Sequence, residues 1–190
     1  FPTRRSSDLT IQLLWVNIIM DGPPALALGL EPVRDYVLKR KPINRHSGII
    51  ARSMFVNIII NAILIITIVF TQSAFNILGA TSEEQGTVIF SLFAFSALFN
   101  ALNCREFGLN STIPNFFKNK LALQIIVVTG IIQIIFTQVF QSFFNSVSLD
   151  FDMWIKIILF ASTILLSNEF VKLILRTMKN SRTMNFNSKN

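Results

Sequence analysis

Two oxygen-bearing side chains stand in an otherwise apolar stretch of the sequence, VNIIMDGPPALALG, which begins at Val16. Asn17 and Asp21 are four residues apart, so on a helix they share one face. An Asp near the centre of a bilayer costs about 2.5–3.5 kcal/mol to insert and normally faces a cavity, a partner or an ion. Amide and carboxylate oxygens suit hard cations such as Ca²⁺, Mg²⁺ or Mn²⁺. The pair therefore indicates a cation site.

Gly22, Pro23 and Pro24 follow the Asp at once and predict a break in the helix. Proline has no backbone N–H, so carbonyls one turn earlier lose their partners. In a membrane such a break is tolerated where the freed carbonyls line a cavity, and broken helices of this kind build ion sites in transporters. Carboxylate, amide and break together look like half of a cation site. The alternative is a proline-kinked helix with Asp21 in a salt bridge to a neighbour.

The elements that must position this pair are long apolar blocks. The 190-residue chain is about half apolar, and blocks such as IINAILIITIVF and LALQIIVVTGIIQIIF carry no charge. Blocks near 20 residues with few charges are typical of transmembrane helices, which satisfy their own backbone polar groups in lipid. We therefore predict an all-α, polytopic transmembrane bundle with five helices, the first broken at Gly22–Pro24. The predicted segments are 10–30, 49–71, 87–104, 119–140 and 153–175.

The net charge of the chain is +7, and the basic residues are concentrated in every second connection between these segments. Lys and Arg cluster in loop 31–48, in the loop after the third segment and in the tail 176–190, whereas the other two loops have none. By the positive-inside rule the basic loops and the tail face the cytoplasm. Membrane topology thus accounts for the excess of Lys and Arg over Asp and Glu, and nucleic acid is not an expected partner.

The domain organisation predicted from the sequence has three parts. Residues 1–9, FPTRRSSDL, resemble the translation of a sequencing adapter and are expected to be non-native; the chain itself is expected to be the back part of a longer protein. A membrane domain over 10–179 and a polar cytoplasmic tail over 180–190 follow. Cys104 is the single cysteine, so a disulfide within the chain and a cysteine-based metal site are excluded. His46 is the single histidine.

The first segment also carries a resemblance to a known family. IQLLWVNIIMDGPPALALGLEP, followed by LKRKP, is similar to the sixth transmembrane helix and the next loop of P-type cation-transporting ATPases, and calcium pumps are the nearest group. LFNALNCREF resembles the eighth helix of that family and NEFVKLILR the end of its tenth. The resemblance covers almost all of residues 10–179. It implies that the chain supplies helices six to ten of such a pump.

Two departures from the family pattern refine this resemblance. The family takes cation ligands from an N-x-x-T-D motif; Asn17 and Asp21 match it, but Met20 stands in the place of the Thr. Ala97 stands where reticulum-type pumps have a Glu on the eighth helix. Both departures remove oxygen from the same one of two sites. The pattern resembles plasma-membrane-type and bacterial calcium pumps, which keep a single site, and it implies that the fourth helix, absent here, supplies the rest.

Other polar residues in the apolar segments are assigned packing roles. Asn100 and Asn103 favour interhelical hydrogen bonding over ion contact. Glu169 and Lys172 are expected to pair near the interface. Interface or packing aromatics are expected at Trp15 and Trp154.

The functional prediction is a membrane-domain fragment of an ATP-driven pump in the plasma membrane, with Ca²⁺ as the transported ion and Mn²⁺ or Mg²⁺ as alternatives. The expected partners are the lipid bilayer and the remaining N-terminal part of the pump. The sequence has no DKTGT phosphorylation motif and no TGE loop, so ATP and Mg²⁺ enter only through missing domains and the fragment alone is expected to be inactive. The alternative is a non-enzymatic membrane interaction module or an inactive gene remnant.

Overall fold

A computed structural model describes residues 6–30, 52–105 and 119–187, and all secondary structure in these ranges is helical. The predicted all-α class is confirmed. The first helix is built from joined pieces. In chain order the elements are α1 (Ser6–Trp15), a π-helical turn (Val16–Asp21), α2 (Gly22–Gly29), α3 (Arg52–Phe75), α4 (Gln85–Asn103), α5 (Lys120–Val139), α6 (Gln141–Phe144) and α7 (Phe151–Asn187).

Within these described ranges, five helical stretches are long and apolar enough to cross a membrane, as predicted. We number them span 1 (Thr10–Gly29), span 2 (Met54–Phe75), span 3 (Gln85–Asn103), span 4 (Lys120–Val139) and span 5 (Phe151–Thr177). Helix α3 reaches four residues past the predicted end of the second segment. Helix α7 continues through Asn187, because no proline or glycine interrupts the sequence after the span. Loop 31–48, which carries part of the topology prediction, lies outside the described residues.

The predicted interruption of span 1 is present, and it lies directly before Gly22. The backbone is α-helical at Trp15 (φ −59°, ψ −49°), widens into the π-helical turn, and becomes α-helical again at Gly22. Pro23 and Pro24 occupy the first turn of α2, where a missing N–H is tolerated. Their missing donors would leave the carbonyls of Ile19 and Met20 without α-helical partners, so the disturbance falls on the preceding turn.

Helix α4 forms the centre of the bundle. It packs against α3, α5 and α7, and small residues such as Ser91, Ala94 and Ser96 on its buried face let the neighbours approach closely. Gly130 of α5 faces this helix, and a methyl group built there would lie 3.3 Å from Cε1 of Phe95. Spans 1 and 4 pack together on one side of α4, and spans 2 and 5 also contact it.

A hydrogen-bonded turn joins α3 to α4. Gln72, fully buried near the end of α3, donates to the Asn76 side chain (2.9 Å) and accepts from the Leu78 amide (3.0 Å). Asn76 has a left-handed backbone (φ 45°), and its amide side chain bonds both the N–H and the carbonyl of Ala80 (2.9 and 2.7 Å). These bonds fix the angle at which span 3 leaves span 2.

Candidate cation site

The two predicted ligands, Asn17 and Asp21, lie on the exposed face of the π-helical turn. They belong to a stripe of exposed positions that runs along span 1 and includes Leu14, Ile18 and Leu26. A second stripe, which includes Val16, Met20 and Ala27, is buried against the other spans. In this arrangement one face of span 1 is used for packing within the chain, and the other presents the amide and the carboxylate outward.

Neither side chain is already occupied by a partner in the described ranges. No hydrogen bond or ion pair of Asn17 or Asp21 is found there, so the salt-bridged alternative for Asp21 has no support among these residues. The same ranges contain no group of three or more His, Cys, Asp or Glu side chains that could hold a metal ion. Among the described residues, Asn17 and Asp21 are thus two candidate oxygen ligands without a cluster of further metal-binding side chains around them.

Met20 occupies the buried stripe, with only 1% of its surface exposed. It belongs to the apolar core that also contains Val16 and residues of α4. Its thioether is therefore buried in the bundle, whereas the neighbouring Asn17 and Asp21 are exposed. Ala97 is half-buried on α4 and offers only a methyl group. Neither of the two positions that depart from the family motif supplies an oxygen ligand.

Trp15 anchors the beginning of the π-helical turn. Its indole N–H donates to Oε1 of Gln133 on α5 at 2.7 Å. Its ring lies 4.6 Å from the ring centre of Phe136 and 5.1 Å from that of Phe144. One turn earlier, the Gln12 amide donates to the Phe144 carbonyl at 2.8 Å. The predicted packing role of Trp15 is thus confirmed, with a hydrogen bond that the sequence did not indicate.

A second polar region, the asparagine cavity, lies between α3, α4 and α7 and has a volume of about 410 Å³. Asn103 donates to the Ile164 carbonyl at 3.4 Å, which confirms its interhelical role. Asn100 does not form the predicted interhelical hydrogen bond. Its Oδ1 atom is buried and has no hydrogen-bond partner, and the same is true of Oδ1 of Asn61. The polar side chains lining the cavity are Asn57, Asn61, Asn100, Asn103, Asn168 and Lys172.

The charged pairs of span 5 include one that was predicted. Lys172 is buried and lies 3.7 Å from Glu169, so the expected pairing is confirmed. Lys156, near the start of the span, pairs with Asp152 one turn earlier at 2.6 Å on the exposed surface. This second pair stays outside the bundle.

Sequence reasoning missed the polar residues that hold span 1 in place. Gln12, Gln133 and Thr137 are all buried, and each forms a hydrogen bond through its side chain. Their position could have been noticed in the sequence, since polar side chains inside apolar membrane segments need a partner. The identity of that partner was not in the local sequence, because Trp15 and Gln133 are 118 residues apart.

Comparison with known proteins shows what class of membrane domain this bundle represents. The sequence model of the family described as Cation transporting ATPase, C-terminus, matches residues 9–174. The chain therefore belongs to the cation-transporting ATPase family and constitutes its C-terminal membrane domain. The predicted resemblance is confirmed.

Several plasma-membrane-type calcium pumps are similar to the chain. It is 34% identical over 176 residues to the probable calcium-transporting ATPase 6, plasma membrane-type, of Oryza sativa subsp. japonica, covering 89% of this chain and 17% of that protein. It is 31% identical over 185 residues to the plasma membrane calcium-transporting ATPase 1 of Homo sapiens, covering 90% of this chain and 15% of that protein. The chain thus spans about a sixth of the length of these relatives.

Proposed function

We propose that the chain is the C-terminal membrane domain of an ATP-driven pump that transports Ca²⁺. Two independent facts support Ca²⁺ as the ion: the similar proteins are named calcium-transporting ATPases, and the available side-chain ligands are oxygens. ATP hydrolysis, with its Mg²⁺, belongs in this proposal to domains outside the given sequence. The lipid bilayer and the preceding part of the pump are the partners, and the plasma membrane is the location that the relatives' names support.

The observation that carries the proposal is the shared exposed face of Asn17 and Asp21 on the π-helical turn. The carboxylate supplies charge, the amide supplies a neutral oxygen, and the turn before Gly22-Pro-Pro supplies backbone carbonyls that lack α-helical donors. These are hard oxygen ligands on one side of one helix. We infer that a helix from the preceding part of the pump completes the site from the opposite side.

The kind of ligands favours Ca²⁺ over Mg²⁺. Ca²⁺ accepts six to eight oxygens in a flexible geometry, whereas Mg²⁺ requires near-octahedral coordination and keeps several waters. A site shared between an amide, a carboxylate and irregular backbone carbonyls matches the flexible geometry better. Mn²⁺ remains the competitor to include in the assay, because it too accepts oxygen ligands.

Asp21→Asn in the full-length pump tests the proposal. The change keeps the shape of the side chain and removes its charge, so Ca²⁺-dependent phosphorylation by ATP should be lost while the protein stays folded. Asn17→Ala should raise the Ca²⁺ concentration for half-maximal phosphorylation by about tenfold, the effect of about 1.4 kcal/mol of lost ligand interaction. Competition by Mn²⁺ and Mg²⁺ in the parental protein identifies the preferred ion.

Met20→Leu is the matched control within the same turn. It keeps the volume of a core side chain, which costs less than about 1.5 kcal/mol in stability, and it removes no oxygen. Ca²⁺ dependence should therefore be unchanged, whereas Met20→Ala would open a cavity in the core. Parental transport rate and ion affinity in Asp21→Asn would remove Asp21 from the site. A parental protein without ion-stimulated ATP hydrolysis would support the inactive-remnant alternative.

A further inference from the structure

We propose that Gln133 is a positioning residue for the cation site: through its bond to Trp15 it sets the orientation of the turn that carries Asn17 and Asp21. This inference rests on the proposed function. It assigns a role in ion binding to a residue on span 4 that does not touch the ion, and it names the single contact through which that residue acts.

The Gln133 amide is held from both ends. Its side chain is fully buried; Oε1 accepts from the Trp15 indole N–H at 2.7 Å, and Nε2 donates to Thr137 Oγ1 at 3.1 Å. Thr137 is also buried, one turn further along α5. Because the amide nitrogen is occupied by Thr137, the amide oxygen is directed at Trp15. The bond to Thr137 therefore holds the acceptor in the orientation that Trp15 requires.

Trp15 transmits this constraint to the ligands. It is the last α-helical residue of α1, directly before the π-helical turn, and Asn17 lies two residues further on. Phe136 and Phe144 confine the indole ring on two sides, so a rotation of α1 would break the hydrogen bond and disturb both ring contacts. The rotation of α1 about its axis determines which way the following turn presents its side chains.

The π-helical turn depends on such an external contact. Its backbone departs from the regular α-helical pattern, and Pro23 and Pro24 cannot donate to it. In an apolar environment no water replaces a lost N–H···O contact, so the Trp15–Gln133 bond has no ready substitute. A methionine of similar size at position 133 would fill the same space without accepting the bond. Packing alone therefore does not require glutamine at this position.

The test compares Gln133→Met, Trp15→Phe and the double variant in the full-length pump. Each single change removes one partner of the bond and keeps most of the packing. We expect the Ca²⁺ concentration for half-maximal ATP hydrolysis to rise about three- to tenfold in each, with the maximal rate within about twofold of the parental rate. The double variant should match the single variants, because both remove the same interaction.

Gln124→Met is the matched control, because Gln124 is an exposed glutamine on the same helix. It should leave the half-maximal Ca²⁺ concentration unchanged. Thermal unfolding of all variants separates positioning from general stability: a lower melting temperature with unchanged Ca²⁺ dependence would overturn the inference, as would additive effects in the double variant. Asp21→Asn, measured alongside, identifies the separate case in which the proposed ion site itself is wrong.

Discussion

Gly130 lies in a tight contact between spans 3 and 4, and its replacement tests the packing of these two helices. A Cβ atom built there would lie 3.3 Å from Cε1 of Phe95 and 3.4 Å from Cδ2 of Leu98. Both side chains are buried, and Phe95 packs edge-on against Trp154 with ring centres 6.2 Å apart. The two neighbours therefore have little room to move away from an added methyl group.

Two opposing contributions decide the magnitude for Gly130→Ala. Alanine in a helix interior is favoured over glycine by roughly 0.5–1 kcal/mol. Extra methyl groups in a well-packed core cost about 1–3 kcal/mol. Because the contact is tight and the neighbours are confined, overpacking should prevail, and the net loss in the free energy of unfolding should be about 1 kcal/mol. Gly130→Val adds further methyl groups at the same contact and should reach about 2–3 kcal/mol.

Thermal unfolding of the purified full-length pump in detergent measures these losses. Gly29→Ala is the control, because a Cβ at Gly29 meets nothing within 4 Å in the described structure. That variant should be as stable as the parent or slightly more stable. Combining Gly130→Val with Phe95→Leu, which shortens the opposing side chain, should recover part of the loss. Parental stability in Gly130→Val would refute the close contact between the two spans.

Two labelling predictions concern the ends of span 3. The exposed Ser82 lies in the turn before this span. In a Cys104→Ser background, the Ser82→Cys variant should react with a membrane-impermeant maleimide only from the side opposite loop 31–48. Reaction from the cytoplasmic side would contradict the predicted topology. Burial raises the pKa of the Cys104 thiol, and the charge of Lys172 offsets this only in part. The thiol should therefore stay protonated to higher pH than usual, so labelling should be slow at pH 7 and should accelerate above the ordinary thiol range. Labelling at neutral pH as fast as that of Ser82→Cys would contradict the partial burial of Cys104.

Local patterns in the sequence were sufficient to predict the spans and the shared face of Asn17 and Asp21. The four-residue spacing of Asn17 and Asp21 determined their common face, and apolar length determined the five spans. The interruption was placed at Gly22–Pro24, but the widened turn ends at Asp21, because proline disturbs the carbonyls that precede it.

Contacts between distant parts of the chain could not be predicted in the same way. The burial of Met20 depends on which side of span 1 faces α4, and the Trp15–Gln133 bond joins spans 1 and 4. Both follow from how the helices assemble, and hydrophobic periodicity does not specify that assembly. A buried glutamine indicates that a partner is needed without saying which residue provides it.

The uneven apolar character of the spans bears on how this domain is made. Among the five described spans, span 1 is the least hydropathic and span 2 the most. A segment that contains an Asp and two consecutive prolines gives the insertion machinery a weak signal, whereas span 2 gives a strong one. Span 4, which supplies Gln133 and Phe136 to the contacts of Trp15, is synthesised after span 1. The contacts of Trp15 with span 4 can therefore form only after span 4 has been made, so the described position of span 1 is reached only after most of the domain has been synthesised.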